Sequence, residues 1–334
     1  MDYLPIKTLY LEVTHACNQR CRHCYLDGGM HHQTAEMSTE QIKHIIKEFQ
    51  EQGGSYLIIT GGEPVVRKDI FEILDYAEKL NIPFNFASNG LAMTPERLEK
   101  LAGYRCLDMY FTSILGANAR QHKDITQRDS YDKVMEALEF LDSKGIFTYV
   151  QVTLAKEYLN EIEEIGKKLL DSYNCMVKFT PIAALGSKSE EEKEESKALI
   201  ITKEYFSLFL QKVEALNQRY PERIDKSNIQ NYDQIKAMIS DYQDEPLYSL
   251  SYGFLAVRPN GDMSFSCNMD NPYTFGKAYE SIRIPADEKL FHYIDILKTA
   301  EQQVLRDSRD NIVEVDVLVD YYIKKQQYES KKGV

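Results

Sequence analysis

From residue 8 to about residue 186, short apolar runs alternate with stretches whose apolar positions recur at helical spacing. Such alternation predicts βα units wound around a parallel sheet. Six units are legible, with strands expected over residues 8–13, 56–60, 84–88, 106–113, 147–154 and 176–181. The first helix starts at Ser38, where Ser38-Thr39-Glu40-Gln41 reads as a capping box, and stops at Gly53-Gly54. Others are expected over residues 69–80, from the cap Thr94-Pro95 onward, and over 131–144 and 160–170. Strand five sets Tyr149, Gln151 and Thr153 on one face and Val150, Val152 and Leu154 on the other. A polar face inside a buried parallel sheet predicts a cavity lining.

The pattern changes after Gly186. Residues 187–196 are rich in Glu and Lys and read as a solvated linker or helix start. A helix follows, with Phe206, Phe209, Leu210, Val213 and Leu216 at core-facing spacing. Residues 254–258 and 263–267 read as a hairpin turned by Pro259-Asn260-Gly261. The stretch 312–323 is ambiguous between strand and helix, and 324–334 reads as a frayed tail. Four segments result: 1–186, 187–251, 252–281 and 282–334.

Charge narrows the function. A formal net charge of -12 disfavours sequence-independent binding to nucleic acid or to an anionic membrane. No apolar run is long enough to span a bilayer and no secretory signal is visible at Met1, so a cytoplasmic location is expected. Six cysteines are too few for a disulfide-built fold of 334 residues.

Three of those cysteines, Cys17, Cys21 and Cys24, crowd into eight residues just after strand one. Three thiolates on a tight loop can hold three corners of an iron-sulfur cube and leave one iron open to a ligand. Zinc, with His15 or His23 as a fourth ligand, is the competing reading. Gly61-Gly62-Glu63-Pro64, at the end of strand two, lets backbone approach closely and supplies a carboxylate that can accept hydrogen bonds from an ammonium group. On its own that string is an ordinary turn.

Together, the CxxxCxxC spacing after strand one and GGEP after strand two resemble the radical S-adenosylmethionine (SAM) superfamily. That resemblance implies an α/β fold, a partial (β/α)6 TIM-like barrel with a C-terminal helical and β-hairpin extension. It implies that Cys17, Cys21 and Cys24 hold one [4Fe-4S] cluster whose fourth iron is chelated by SAM. It further implies cleavage of SAM to a 5′-deoxyadenosyl radical that takes hydrogen from a substrate, with electrons from a reductant such as flavodoxin or ferredoxin. His23 fills a position near the adenine, Gly61 to Pro64 the element that receives the SAM amino group, and Ser88, Asn89 and Ser113 positions that contact the ribose or carboxylate. Residues 122–132 are similar to the family's lead into the fourth helix and name no ligand.

Residues 252–281 resemble the first half of the SPASM or twitch extension of peptide-modifying relatives, which carries auxiliary clusters. Here Tyr252 stands where the first auxiliary cysteine is expected, and no cysteine follows Cys267. Five residues separate Gly261 from Cys267, which in a regular strand turns the thiol to the opposite face unless a bulge corrects it. An auxiliary cluster is therefore not expected. Cys267 is either a half-buried strand cysteine or, as in epimerases of this superfamily, a hydrogen-atom donor. Cys106 and Cys175 read as buried small hydrophobes. The substrate expected from this resemblance is a ribosomally made peptide, crosslinked or epimerised; the alternatives are a small polar metabolite such as an aminosugar, and an iron-sulfur or zinc protein without turnover.

Overall fold

In a computed structural model the six expected strands are β1 (Thr8–Glu12), β2 (Tyr56–Thr60), β3 (Phe84–Ala87), β4 (Leu107–Ile114), β5 (Thr148–Leu154) and β6 (Cys175–Pro181). The structure describes residues 3–24, 35–182, 203–227, 229–230, 253–267, 273–307, 312–313 and 323. The expected linker 187–196, Tyr252 and the tail 324–334 lie outside them, as does most of 312–323.

All six strands pair in parallel in chain order, β1 to β6, and form an open sheet rather than a closed barrel. Helices α1 (Thr39–Glu51), α2 (Ile70–Lys79), α3 (Pro95–Ala102), α5 (Tyr131–Ser143) and α6 (Ile162–Ser172) provide the crossovers. Ser38 closes the expected capping box with Gln41, and Thr94 caps α3 ahead of Pro95. Leu9, Leu11, Leu57, Ile59, Phe84 and Phe86 pack with α1, α2 and α3 in one apolar cluster. Val150, Val152, Leu154, Val177 and Phe179 pack with α5 and α6 in a second.

Because strand side chains alternate between faces, the opposite set points into the concave side. Tyr149 and Gln151 are partly exposed there while Val150 and Val152 are buried behind them. Phe111 and Tyr149, partners across β4 and β5, stack with ring centroids 5.3 Å apart. The polar face of strand five does line the interior of the sheet.

Both later segments extend this sheet. Helix α7 (Lys203–Arg219) sends Phe209, Val213 and Leu216 into the second cluster, and β7 (Ile224–Asp225) then pairs parallel to β6. On the far edge, β9 (Phe254–Val257) pairs parallel to β1, and β10 (Met263–Ser264) folds back against β9. The expected hairpin is thus a continuation of the core sheet. Helix α8 (Glu288–Asp307) covers it, with Tyr293 packed against the touching pair Phe265 and Phe275. Among the described residues, β8 (Ile229–Gln230) and β11 (Ile312–Val313) pair in a second sheet. Cys106 and Cys175 are buried in the two clusters as expected.

Candidate functional site

The carboxyl ends of β1, β2 and β3 converge on the cysteine loop. Gly62 N–H donates to Thr14 O and Glu63 N–H to Ala16 O, both at 2.8 Å, so the loop after β2 lies flat against the residues leading to Cys17. This contact is what the glycine pair permits. A Cβ on Gly61, whose φ is +149°, would fall 2.4 Å from Thr14 O. One on Gly62 would fall 2.5 Å from both His15 O and Ala16 O.

Glu63 is fully buried and organises the next strand end. Its Oε1 accepts from Val65 N (3.1 Å) and Ser88 Oγ (2.9 Å), and its Oε2 from Asn89 N (2.6 Å). Burial pushes its carboxyl up to about 7 against those hydrogen bonds, which favour the ionised form. The Asn89 side chain then reaches back, with Nδ2 2.7 Å from Asn18 Oδ1 and 3.7 Å from Cys17 Sγ. Cys17, Glu63, Ser88 and Asn89 thus form one hydrogen-bonded unit across three strand ends. Pro64 opens a single 3-10 turn, Pro64–Val66, which Glu63 caps. Ser113 sits half-buried near the end of β4 beside Gln151, and His23 lies half-buried in the turn before Cys24.

Two elements without a sequence motif brace the loop. Glu36 Oε1 accepts from Thr14 Oγ1 (2.7 Å) and His15 N (2.9 Å). Arg67 donates to Val13 O (2.8 Å) and Met37 O (2.9 Å) while paired with Asp69 (2.8 Å). On the other flank stands α4 (Ala119–Thr126), whose last turn accepts from Arg20 N at Thr126 O (3.0 Å) and from Arg22 N at Ile125 O (2.9 Å). His122 in that helix is buried, and burial holds its imidazole down to about 4, so it is neutral. The 122–132 segment therefore seats the cysteine loop.

The donor set suits an iron-sulfur cluster. None of the six cysteines is in a disulfide. Cys17 Sγ accepts N–H bonds from Gln19 (3.4 Å) and Asn89, the kind of donor that cluster sulfurs receive. Burial, with the negative neighbours Glu63 and Cys24 adding to it, pushes the Cys17 thiol up to about 11, a cost that cationic iron relieves. Among the described residues no three His, Cys, Asp or Glu side chains gather on a single-ion site.

Cys267 follows the hairpin. Because β10 ends at Ser264, the strand alternation that bears on the thiol's face stops three residues before it. Arg258, buried on the interior side of the sheet, donates to Glu12 Oε1 (2.5 Å), Cys267 O (3.0 Å) and Ser266 O (3.0 Å). This brings the Cys267 backbone beside the carboxyl end of β1.

The site is a three-cysteine loop after the first strand of a parallel α/β sheet, knitted to a GGEP turn after its second. Residues 11–169 match the Radical SAM superfamily, a domain that makes up just under half of this chain. The chain is 34% identical over 177 residues to the mycofactocin maturase MftC of Mycolicibacterium smegmatis, covering 52% of this chain and 44% of that protein. It is also 34% identical over 164 residues to the AdoMet-dependent heme synthase of Methanosarcina barkeri, covering 47% and 46%. The chain thus spans less than half the length of these curated relatives. Streptococcus suis SuiB bound to S-adenosylmethionine shares the fold with a TM-score of 0.66 at 16% identity, covering 89% of this chain and 68% of that one. SuiB bound to its precursor peptide SuiA gives 0.64. The superfamily uses a [4Fe-4S] cluster and SAM. No helix among the described residues is long and apolar enough to cross a membrane.

Proposed function

We propose that this protein is a radical SAM enzyme that modifies a ribosomally made peptide, by crosslinking side chains or by inverting an α-carbon. The observation that carries the reading is the hydrogen-bonded unit joining Cys17 to Glu63, Ser88 and Asn89. Cys17, Cys21 and Cys24 would hold the cluster, and Gly61 to Pro64, Ser88, Asn89, Ser113 and His23 would surround SAM. When bound, cluster and SAM supply a radical able to take a hydrogen atom from an unactivated carbon. The chain's task is to fix the loop, keep it dry and orient the substrate over it. Glu63 does the first by spanning two strand ends, and the open concave face, with Tyr149, Gln151 and Thr153, offers room for the last.

Peptide as substrate class is supported by the maturase relative and by the fold shared with a peptide-bound enzyme. A small molecule is the second reading, favoured by the heme synthase relative. Electrons would come from a flavodoxin or ferredoxin, and reduced cysteines suit a cytoplasmic location. Cys267 is proposed as a hydrogen-atom donor, supported by the Arg258 bridge that sets its backbone beside Glu12. In that step its S–H bond breaks as a substrate C–H bond forms, and the thiyl left behind takes one electron from the same reductant and a proton from solvent.

Anaerobic reconstitution followed by iron analysis and reductive SAM cleavage tests the reading. About four irons per chain are expected, with activity lost in Cys17→Ala. About eight irons would refute the single cluster, and intact SAM would refute the enzyme. Cys267→Ala is expected to abolish deuterium uptake from solvent into the product; unchanged uptake removes that residue from the chemistry.

A further inference from the structure

Gln19 stands between two of the three cluster cysteines and is only 4% exposed. Its carboxamide bridges Cys21 Sγ, 3.3 Å from Oε1, and Ser130 Oγ, 2.9 Å from Nε2. Ser130 Oγ is in turn 2.9 Å from His122 Nε2. Leu115 N–H donates to His122 Nδ1 at 3.1 Å, so the proton of the imidazole is on Nε2 and is directed at Ser130. Ser130 Oγ therefore receives two N–H donors, and its own proton has no acceptor within this network. The Gln19 oxygen, for its part, takes the Cys21 thiol proton.

Iron ligation upsets that arrangement. A sulfur bound to iron has no proton to give, and a carboxamide oxygen facing it is repelled. Turning the carboxamide end for end resolves both problems. Nε2 then donates to Cys21 Sγ and Oε1 accepts the Ser130 hydroxyl proton, while Ser130 still accepts from His122. Every polar group from Leu115 N to Cys21 Sγ has a partner in that state.

We propose that Gln19 is a positioning residue for the cluster: in the loaded protein its side-chain amide donates to the Cys21 sulfur, held in that sense by Ser130 and His122, and raises the cluster's reduction potential. The direction follows because N–H donors to cluster sulfurs favour the more negative, reduced state. The inference rests on the functional reading above, in that Cys21 is an iron ligand.

Redox titration of the anaerobically reconstituted full chain, followed by EPR of the reduced cluster, tests it. Gln19→Leu keeps the bulk and removes the amide, and its midpoint potential is expected to move negative of the wild type. Ser130→Ala leaves the amide but not its anchor, and is expected to move the potential the same way by less. A lower iron content with an unmoved potential in the loaded fraction means a purely structural role and overturns the proposal. If Gln19→Leu takes up no cluster, Ser130→Ala decides, and an unmoved potential there overturns it. A wild-type chain that binds no iron overturns the functional reading itself and this inference with it.

Discussion

At the scale of single residues the site is held by groups that have little freedom to change. Glu63 titrates near 4.5 when unfolded and near 7 in the buried site. Between those values the folded chain binds more protons than the unfolded one, so this residue's contribution to stability is full below about 4.5 and is lost as pH rises through about 7. Glu63→Gln is expected to flatten that part of the profile in the metal-free protein, as read from urea midpoints across the window. Gly62→Ala is expected to force the loops after β1 and β2 apart, since the new methyl meets two carbonyl oxygens at 2.5 Å. A loss of roughly 1–3 kcal/mol in denaturant unfolding and poorer iron retention should result. Both residues stood out in the sequence as GGEP, yet their observed contacts are internal: glycine against backbone, and carboxylate against the next strand end. Motif spacing shows that a loop is special without showing what it touches.

At the scale of elements the amphipathic helices and their caps were readable, and the capping box at Ser38 formed as expected. Ser38→Ala is expected to cost about 1 kcal/mol, because Gln41 N–H loses its acceptor at a helix start; chemical denaturation measures it. Helix α4 was not readable. Gln121, His122 and Thr126 are polar yet buried, so the face it turns inward carries no apolar stripe to detect. Glu36 and Arg67 escaped for a related reason: a lone charged residue has no spacing to recognise, and its value appears only once the chain has brought Val13, Thr14 and Met37 beside it. The added strands β7 and β9 show a third limit. Alternation with period two marks a strand without naming its neighbour.

At the scale of the whole molecule the Arg258–Glu12 pair joins the hairpin to the first strand of the parallel core. Both side chains are buried, and removing one leaves the other's charge without compensation. Arg258→Met is expected to cost about 3–5 kcal/mol, while Glu12→Gln combined with Arg258→Met recovers most of it. Equilibrium unfolding of the three proteins checks the coupling, and equal losses in the single and double variants would sink it. The pair also accounts for the way the hairpin behaves as barrel wall, because the guanidinium holds Ser266 and Cys267 by their carbonyls.

The parallel pairing of β9 with β1 has a consequence in time. Glu12 and Arg258 are 246 residues apart, so β1 leaves the ribosome long before its partner β9 is made. Until then Thr8 to Leu11 present an unpaired, largely apolar edge, the kind of surface on which nascent chains stick to one another. Synthesis stalled before residue 254 should therefore yield chains that aggregate, and completion of β9 is the moment at which this protein becomes safe in a crowded cell.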